Sequence, residues 1–186
     1  MSFKLIVLEG LDRSGKTTVS SMLQQRLQPC TIIRFPNRAT ETGKLLDKFL
    51  KKQIKFSDHT IHLLYSANRY EEETRIRDLL KSTHVICDRY WLSGAVYSTA
   101  KGLDFEWCKS TDKLLPQPDF TFFLDVPVEE TSKRTCFGNE VHDKIEFQRK
   151  VYEIYKSKVE EEGVYEINGL QEPEKIVEAI LECLKP

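Results

Sequence analysis

The chain has 186 residues, enough for one domain burying roughly two-thirds of its unfolded surface. Its 28 Lys+Arg against 29 Asp+Glu leave a net charge of −1, which argues against attachment to a nucleic-acid polymer or an anionic membrane through bulk charge. No apolar run approaches the roughly 18–20 residues of a membrane span, and the start MSFKLIVLEG reads unlike a signal peptide.

The first predicted strand, Lys4-Leu5-Ile6-Val7-Leu8, is the continuous apolar run of a strand covered on both faces. Further strands are predicted at 31–33, 84–87 and 120–124, with a weaker fifth at 164–167. Between them lie helical stretches at about 16–27, 40–51, 58–81, 91–101, 128–136, 143–161 and 172–184. Strands alternating with helices predict a doubly wound α/β domain: a parallel sheet between two helical layers, with its sites at the carboxyl ends of the strands. No repeat or Gly/Ser linker divides residues 1–186, so a single domain is expected. Gly138-Asn139-Glu140 reads as a loop joining two helices. Five cysteines lie scattered without a C-x-x-C pair, arguing against a disulfide framework or zinc site and for a reducing compartment, the cytoplasm or else the nucleus.

Directly after the first strand comes Gly10-Leu11-Asp12-Arg13-Ser14-Gly15-Lys16-Thr17, a full match to G-x-x-x-x-G-K-[ST]. Glycines let backbone N–H groups curl round phosphate oxygens, and the following helix adds positive potential at its N-terminus. Lys16 supplies a charge to the β- and γ-phosphates, and the Thr17 hydroxyl suits Mg²⁺. Thr18 extends the loop. ATP is thus the expected phosphoryl donor and Mg²⁺ the expected metal, in a P-loop NTPase fold. Arg13 brings a guanidinium to the transferring phosphoryl group, as an arginine finger does. Asp12 is an acid beside a triphosphate: either it turns across the loop to a second substrate's hydroxyl, or the pair faces solvent.

No N-K-x-D base-reading motif of a GTPase occurs. The third strand ends in Cys87-Asp88-Arg89-Tyr90, where an acid suits the Mg²⁺ shell and an arginine a second phosphate, or else the two form a surface ion pair. Arg34, Arg38, Arg69 and Arg89 form a set of fork-shaped donors suited to phosphate recognition. A phosphate monoester acceptor is already ionised, so catalysis reduces to alignment and charge neutralisation, which matches many arginines and no evident His–carboxylate pair. Two rivals remain: a deoxynucleoside kinase, which needs a carboxylate base for a 5′-hydroxyl, and a slowly hydrolysing nucleotide switch.

The stretches GLDRSGKTT, RFPNRATETGKLL, DHTIHLLYSANRYE, CDRYWLSGAVYSTAKGL, WCK and LPQPDFTFFLDV resemble the thymidylate kinase family, of the eukaryotic and poxviral type with Arg in the P-loop. The resemblance implies a nucleoside monophosphate kinase-like fold with a five-stranded sheet, phosphorylation of dTMP to dTDP on the way to dTTP, and a homodimer. It also implies roles. Tyr65, which read alone is more often a core residue, lies against the thymine. Arg69 bonds a pyrimidine carbonyl, Arg38 and Arg89 grip the dTMP phosphate, and Asp12 meets the 3′-hydroxyl. Phe35, Leu50, Ser93, Gly94 and Tyr97 line the pocket. Arg134 and Asn168 are expected beside adenine. A short lid is expected at about 135–148, with Val141-His142 where the family has an Arg-Tyr pair; His142 or Asp143 is the candidate substitute.

Overall fold

A computed structural model describes residues 2–133 and 144–185. In chain order the elements are β1 (Leu5–Glu9), α1 (Lys16–Arg26), β2 (Cys30–Arg34), α2 (Glu41–Leu50), α3 (Asp58–Glu71), α4 (Glu73–Leu79) and β3 (His84–Asp88). There follow α5 (Trp91–Thr99), α6 (Phe105–Ser110), β4 (Phe120–Asp125), α7 (Val128–Ser132), α8 (Ile145–Glu161), β5 (Tyr165–Asn168) and α9 (Pro173–Cys183). The five strands form one parallel sheet in the order β2-β3-β1-β4-β5.

The apolar run of β1 has the cause expected of it. Side chains alternate across a strand. Ile6 and Leu8 pack with Val19 and Leu23 of α1 and Val177 and Ile180 of α9 on one face. Leu5 and Val7 pack with Ile76 of α4, Tyr90 and Leu115 on the other. Both faces are covered, so every residue of β1 is buried. β5 sits at the sheet edge and is mostly exposed, which is why its sequence signal is weak.

Two helical boundaries depart from the pattern. The stretch 58–81 is two helices, not one, because Glu72 turns at φ −96° and ψ −5°. Its buried carboxylate accepts from Asn37 Nδ2 at 2.6 Å and Arg75 Nη1 at 3.0 Å. Helix α6 was not expected; Asp104 caps it by accepting from the Trp107 N–H at 2.7 Å, and it buries Phe105 and Cys108 three residues apart. Cys30, Cys87, Cys108 and Cys183 are free thiols. Cys136 and the expected loop 138–140 lie outside the described residues, as does the expected lid apart from 144–148. Among the described residues no helix is long and apolar enough to cross a membrane.

Candidate active site

The phosphate loop leaves the carboxyl end of β1 at the centre of the sheet. Gly10 adopts φ +146°, and a Cβ there would lie 2.8 Å from Ser14 Oγ and 3.0 Å from the Leu124 carbonyl, so only glycine fits. Gly15, at φ 100°, begins α1 without a side-chain cap, leaving first-turn N–H groups for a phosphate. Lys16 folds back over the loop, donating to the carbonyls of Leu11 at 2.6 Å and Gly10 at 3.2 Å and to Ser14 Oγ at 3.3 Å. Burial first, and then the Arg89 charge, lower its pKa to about 8.

The strand register brings the second motif alongside. Asp88 pairs with Leu8 on one side and Arg34 on the other. Its Oδ2 accepts from Thr17 Oγ1 at 2.8 Å, with Arg34 Nε 3.9 Å away. Asp88 is therefore a buried loop partner and not half of a surface ion pair with Arg89. Arg89 itself sits at φ 71° and Arg13 at φ 65°, left-handed conformations that cost a non-glycine residue about 1–2 kcal/mol. Both of these strained residues stand at the loop. Arg89 Nη1 donates to the Gly10 carbonyl and to Ser93 Oγ, each at 2.9 Å, while Nη2 donates to Asp12. Asp12 also accepts from the Tyr97 hydroxyl at 3.3 Å, so its carboxylate turns inward.

Beside the loop opens a cleft of about 850 Å³. Every residue expected around the acceptor lines it: Asp12, Phe35, Arg38, Leu50, Tyr65, Arg69, Arg89, Ser93, Gly94 and Tyr97. Arg13, Lys16, Thr17 and Asp88 line the same cleft. Thr18 and Asn168 do not; Asn168 lies at the end of β5, where its Oδ1 accepts from the Leu170 N–H at 3.0 Å. Arg134, Val141, His142 and Asp143 lie outside the described residues.

Arg69 reaches the cleft from α3 as half of a buried ion pair. Its Nε and Nη2 meet the two oxygens of Asp112 at 2.9 and 2.6 Å, and Ser66 Oγ donates to the same carboxylate at 2.9 Å. The neighbouring Thr111 is held by His62, whose other ring nitrogen lies 2.8 Å from the cleft-lining Ser98 Oγ. Gly94 makes room for this guanidinium: a Cβ there would lie 2.7 Å from Nη2 and 2.9 Å from Nη1. Arg38, in contrast, reaches from an exposed loop and donates to Asp47 at 2.9 Å.

Sequence reasoning missed Asp112, Glu9, Lys101 and Arg75. Asp112 stands a few residues beyond WCK with nothing local to mark it. Glu9 carried a usable signal, an acid closing a strand apolar throughout. Lys101 lines the cleft 5.3 Å from the Phe49 ring centre, and burial lowers its pKa.

A five-stranded parallel sheet with a phosphate loop after its central strand, and an acid–arginine pair after the next, defines a P-loop nucleotide kinase. The family model for thymidylate kinase matches residues 8–180. The thymidylate kinase of Plasmodium falciparum is 42% identical over 93% of this chain and 85% of that protein. The human thymidylate kinase is 40% identical over 81% of this chain and 74% of its own. The solved thymidylate kinase of Candida albicans superposes with a TM-score of 0.87 at 34% identity, over 98% of this chain and 91% of that one. The chain belongs to the thymidylate kinase family.

Proposed function

We propose how this chain carries out the reaction of its family, the ATP-dependent phosphorylation of dTMP to dTDP. The triphosphate lies in the loop Gly10–Thr17, its β- and γ-phosphates against Lys16 and Arg13. Thr17 Oγ1 and Asp88 Oδ2, 2.8 Å apart, offer the all-oxygen environment that Mg²⁺ takes beside substrate phosphates. Thr17 and Asp88 would hold Mg²⁺, which would supply charge neutralisation at the β- and γ-phosphates.

Arg38 and Arg89 hold the dTMP phosphate, Tyr65 stacks on the thymine, and Arg69 bonds a ring carbonyl. Asp12 receives the 3′-hydroxyl while steadying Arg89. The acceptor phosphate needs no base, so the chain's work is alignment and neutralisation. The observation that carries this reading is Arg89, which lines the acceptor cleft while bonded to Gly10 and Asp12 of the donor loop. One residue thereby ties the two phosphates to a common frame.

The test is a coupled ADP-release assay with MgATP and a panel of dTMP, dUMP, dCMP, dAMP and thymidine. Turnover with dTMP and none with thymidine is expected; no turnover with dTMP overturns the reading, and preference for thymidine makes the chain a deoxynucleoside kinase. Arg13→Ala is expected to lower turnover about 10³-fold, as loss of an arginine finger does. We further propose a homodimer, supported by the exposed Leu45 of α2 and Leu63 of α3, 39% and 49% accessible. Sedimentation of one protomer mass overturns it. A cytoplasmic or nuclear location is supported by the free thiols of Cys30, Cys87, Cys108 and Cys183 among the described residues.

A further inference from the structure

Glu9 is the last residue of β1 and is wholly buried. An acid in that position demands partners, because an uncompensated buried carboxylate costs several kcal/mol. Its partners lie on α5 and α8. Oε1 accepts from the backbone N–H of Tyr90 at 3.0 Å and of Ser93 at 3.1 Å. Tyr90 is the N-cap of α5 and makes no side-chain cap of its own. Glu9 therefore caps that helix from the neighbouring strand, where a carboxylate also favours the positive helix end. Oε2 accepts from the Ser93 hydroxyl and, at 3.0 Å, from the hydroxyl of Tyr155 on α8.

The proton count then sets a direction. The Ser93 hydroxyl gives its single proton to Glu9, so its oxygen is left to accept from Arg89 Nη1 at 2.9 Å. Tyr155, whose oxygen lies 2.8 Å from Ser93 Oγ, donates to the same carboxylate oxygen. Burial first, and the Glu9 charge next, push the Tyr155 phenol well up, which keeps it a donor. Tyr155 does not line the cleft. The chain of bonds runs Tyr155–Glu9–Ser93–Arg89, and Arg89 ends on Gly10 and Asp12 of the loop.

We propose that Glu9 and Tyr155 are positioning residues for the acceptor phosphate: through Ser93 and the α5 N-terminus they hold the guanidinium of Arg89, whose backbone is left-handed, at a set distance from the phosphate loop. Neither touches substrate. The inference rests on Arg89 as a ligand of the acceptor phosphate, and it assigns the reason that ligand is held in line with the donor.

The test is steady-state kinetics of the full chain carrying Tyr155→Phe, Glu9→Gln and Arg89→Ala, singly and with Tyr155→Phe and Arg89→Ala combined. Glu9→Gln is expected to lower kcat/KM for dTMP roughly ten- to hundredfold and Tyr155→Phe roughly tenfold, with KM for ATP held within about twofold. In the Arg89→Ala background the Tyr155→Phe loss should shrink to within about twofold, since residues acting through one group are not additive. Equal losses toward ATP and dTMP, or full additivity, would make the two residues merely structural and overturn the proposal. Tyr155→Phe keeps every ring contact, including the stack on Phe123 at 4.9 Å, so the test survives if Glu9→Gln fails to fold. Arg89→Ala with unchanged dTMP kinetics would instead overturn the phosphate reading itself.

Discussion

Two arginines that line the cleft, Arg69 and Arg38, are held in unlike ways. Arg69, at the proposed base end, is 3% exposed, and its partner Asp112 is 2% exposed. Arg38, at the proposed phosphate end, is 45% exposed, and Asp47 is 24% exposed. The same pair of side-chain types thus appears once as a dry bidentate clamp and once as a solvated contact. A dry clamp fixes a guanidinium before any ligand arrives, and its direction can discriminate between bases. A solvated one gives up its carboxylate at little cost, as an arginine must when it transfers its fork to an incoming phosphate.

That contrast is most directly broken at Asp112. Asp112→Ala leaves the Arg69 charge buried and unpaired, and a loss of about 3–5 kcal/mol in unfolding free energy is expected by denaturant titration. Retained stability would show that Arg69 reaches water and is no clamp. Next in size, Gly94→Ala drives a methyl group into a guanidinium that cannot retreat; overpacking of this kind costs roughly 1–3 kcal/mol, so KM for dTMP should rise about tenfold while KM for ATP stays put. An unchanged dTMP KM would mean that Arg69 does not face the base.

Lys16 sharpens the comparison, since it is a buried cation with no full carboxylate clamp. Its pKa of about 8 lies below the ordinary 10.5, so the free enzyme loses the charge as pH rises through 8. The limb of kcat/KM for ATP should fall above about pH 8, whereas kcat should hold to higher pH because bound phosphates favour the charged lysine. The linkage has the opposite sign for folding: the burial cost is fully present below pH 8 and fades toward pH 10.5, so this group makes the free protein relatively more stable as the pH climbs across that window. A kcat/KM limb near 10 would contradict the buried setting. The smallest effect belongs to Asp47→Ala, expected to change stability by less than about 1 kcal/mol, because both pairs it breaks, with Arg38 and with Lys51, are solvated. A larger loss would place Arg38 in a clamp after all.

Much of this was legible in order along the chain. The apolar run before Gly10, the loop spacing and the acid–arginine pair at 88–89 are local signals, and strand–helix alternation leads to the five-stranded parallel sheet seen here. The resemblance in SANR and CDRYW supplied the cleft residues. The break at Glu72 was not legible, because a helix-length pattern runs through it and the side chain that holds Glu72, Asn37, lies 35 residues away. Helix α6 is too short for its period to stand out, though its Asp104 cap was there to be read.

By itself the sequence determined the backbone of the site: which strand feeds the phosphate loop, where an arginine enters it, and which side chains can bind phosphate. Periodicity and motif spacing are properties of neighbours, so they carry that much. Only the tertiary structure decided what each charged group leans on. Arg69 finds Asp112 across 43 residues and Glu9 finds Tyr155 across 146. A buried charge must be satisfied wherever the fold brings a partner, and sheet order and helix packing, not local sequence, choose that partner.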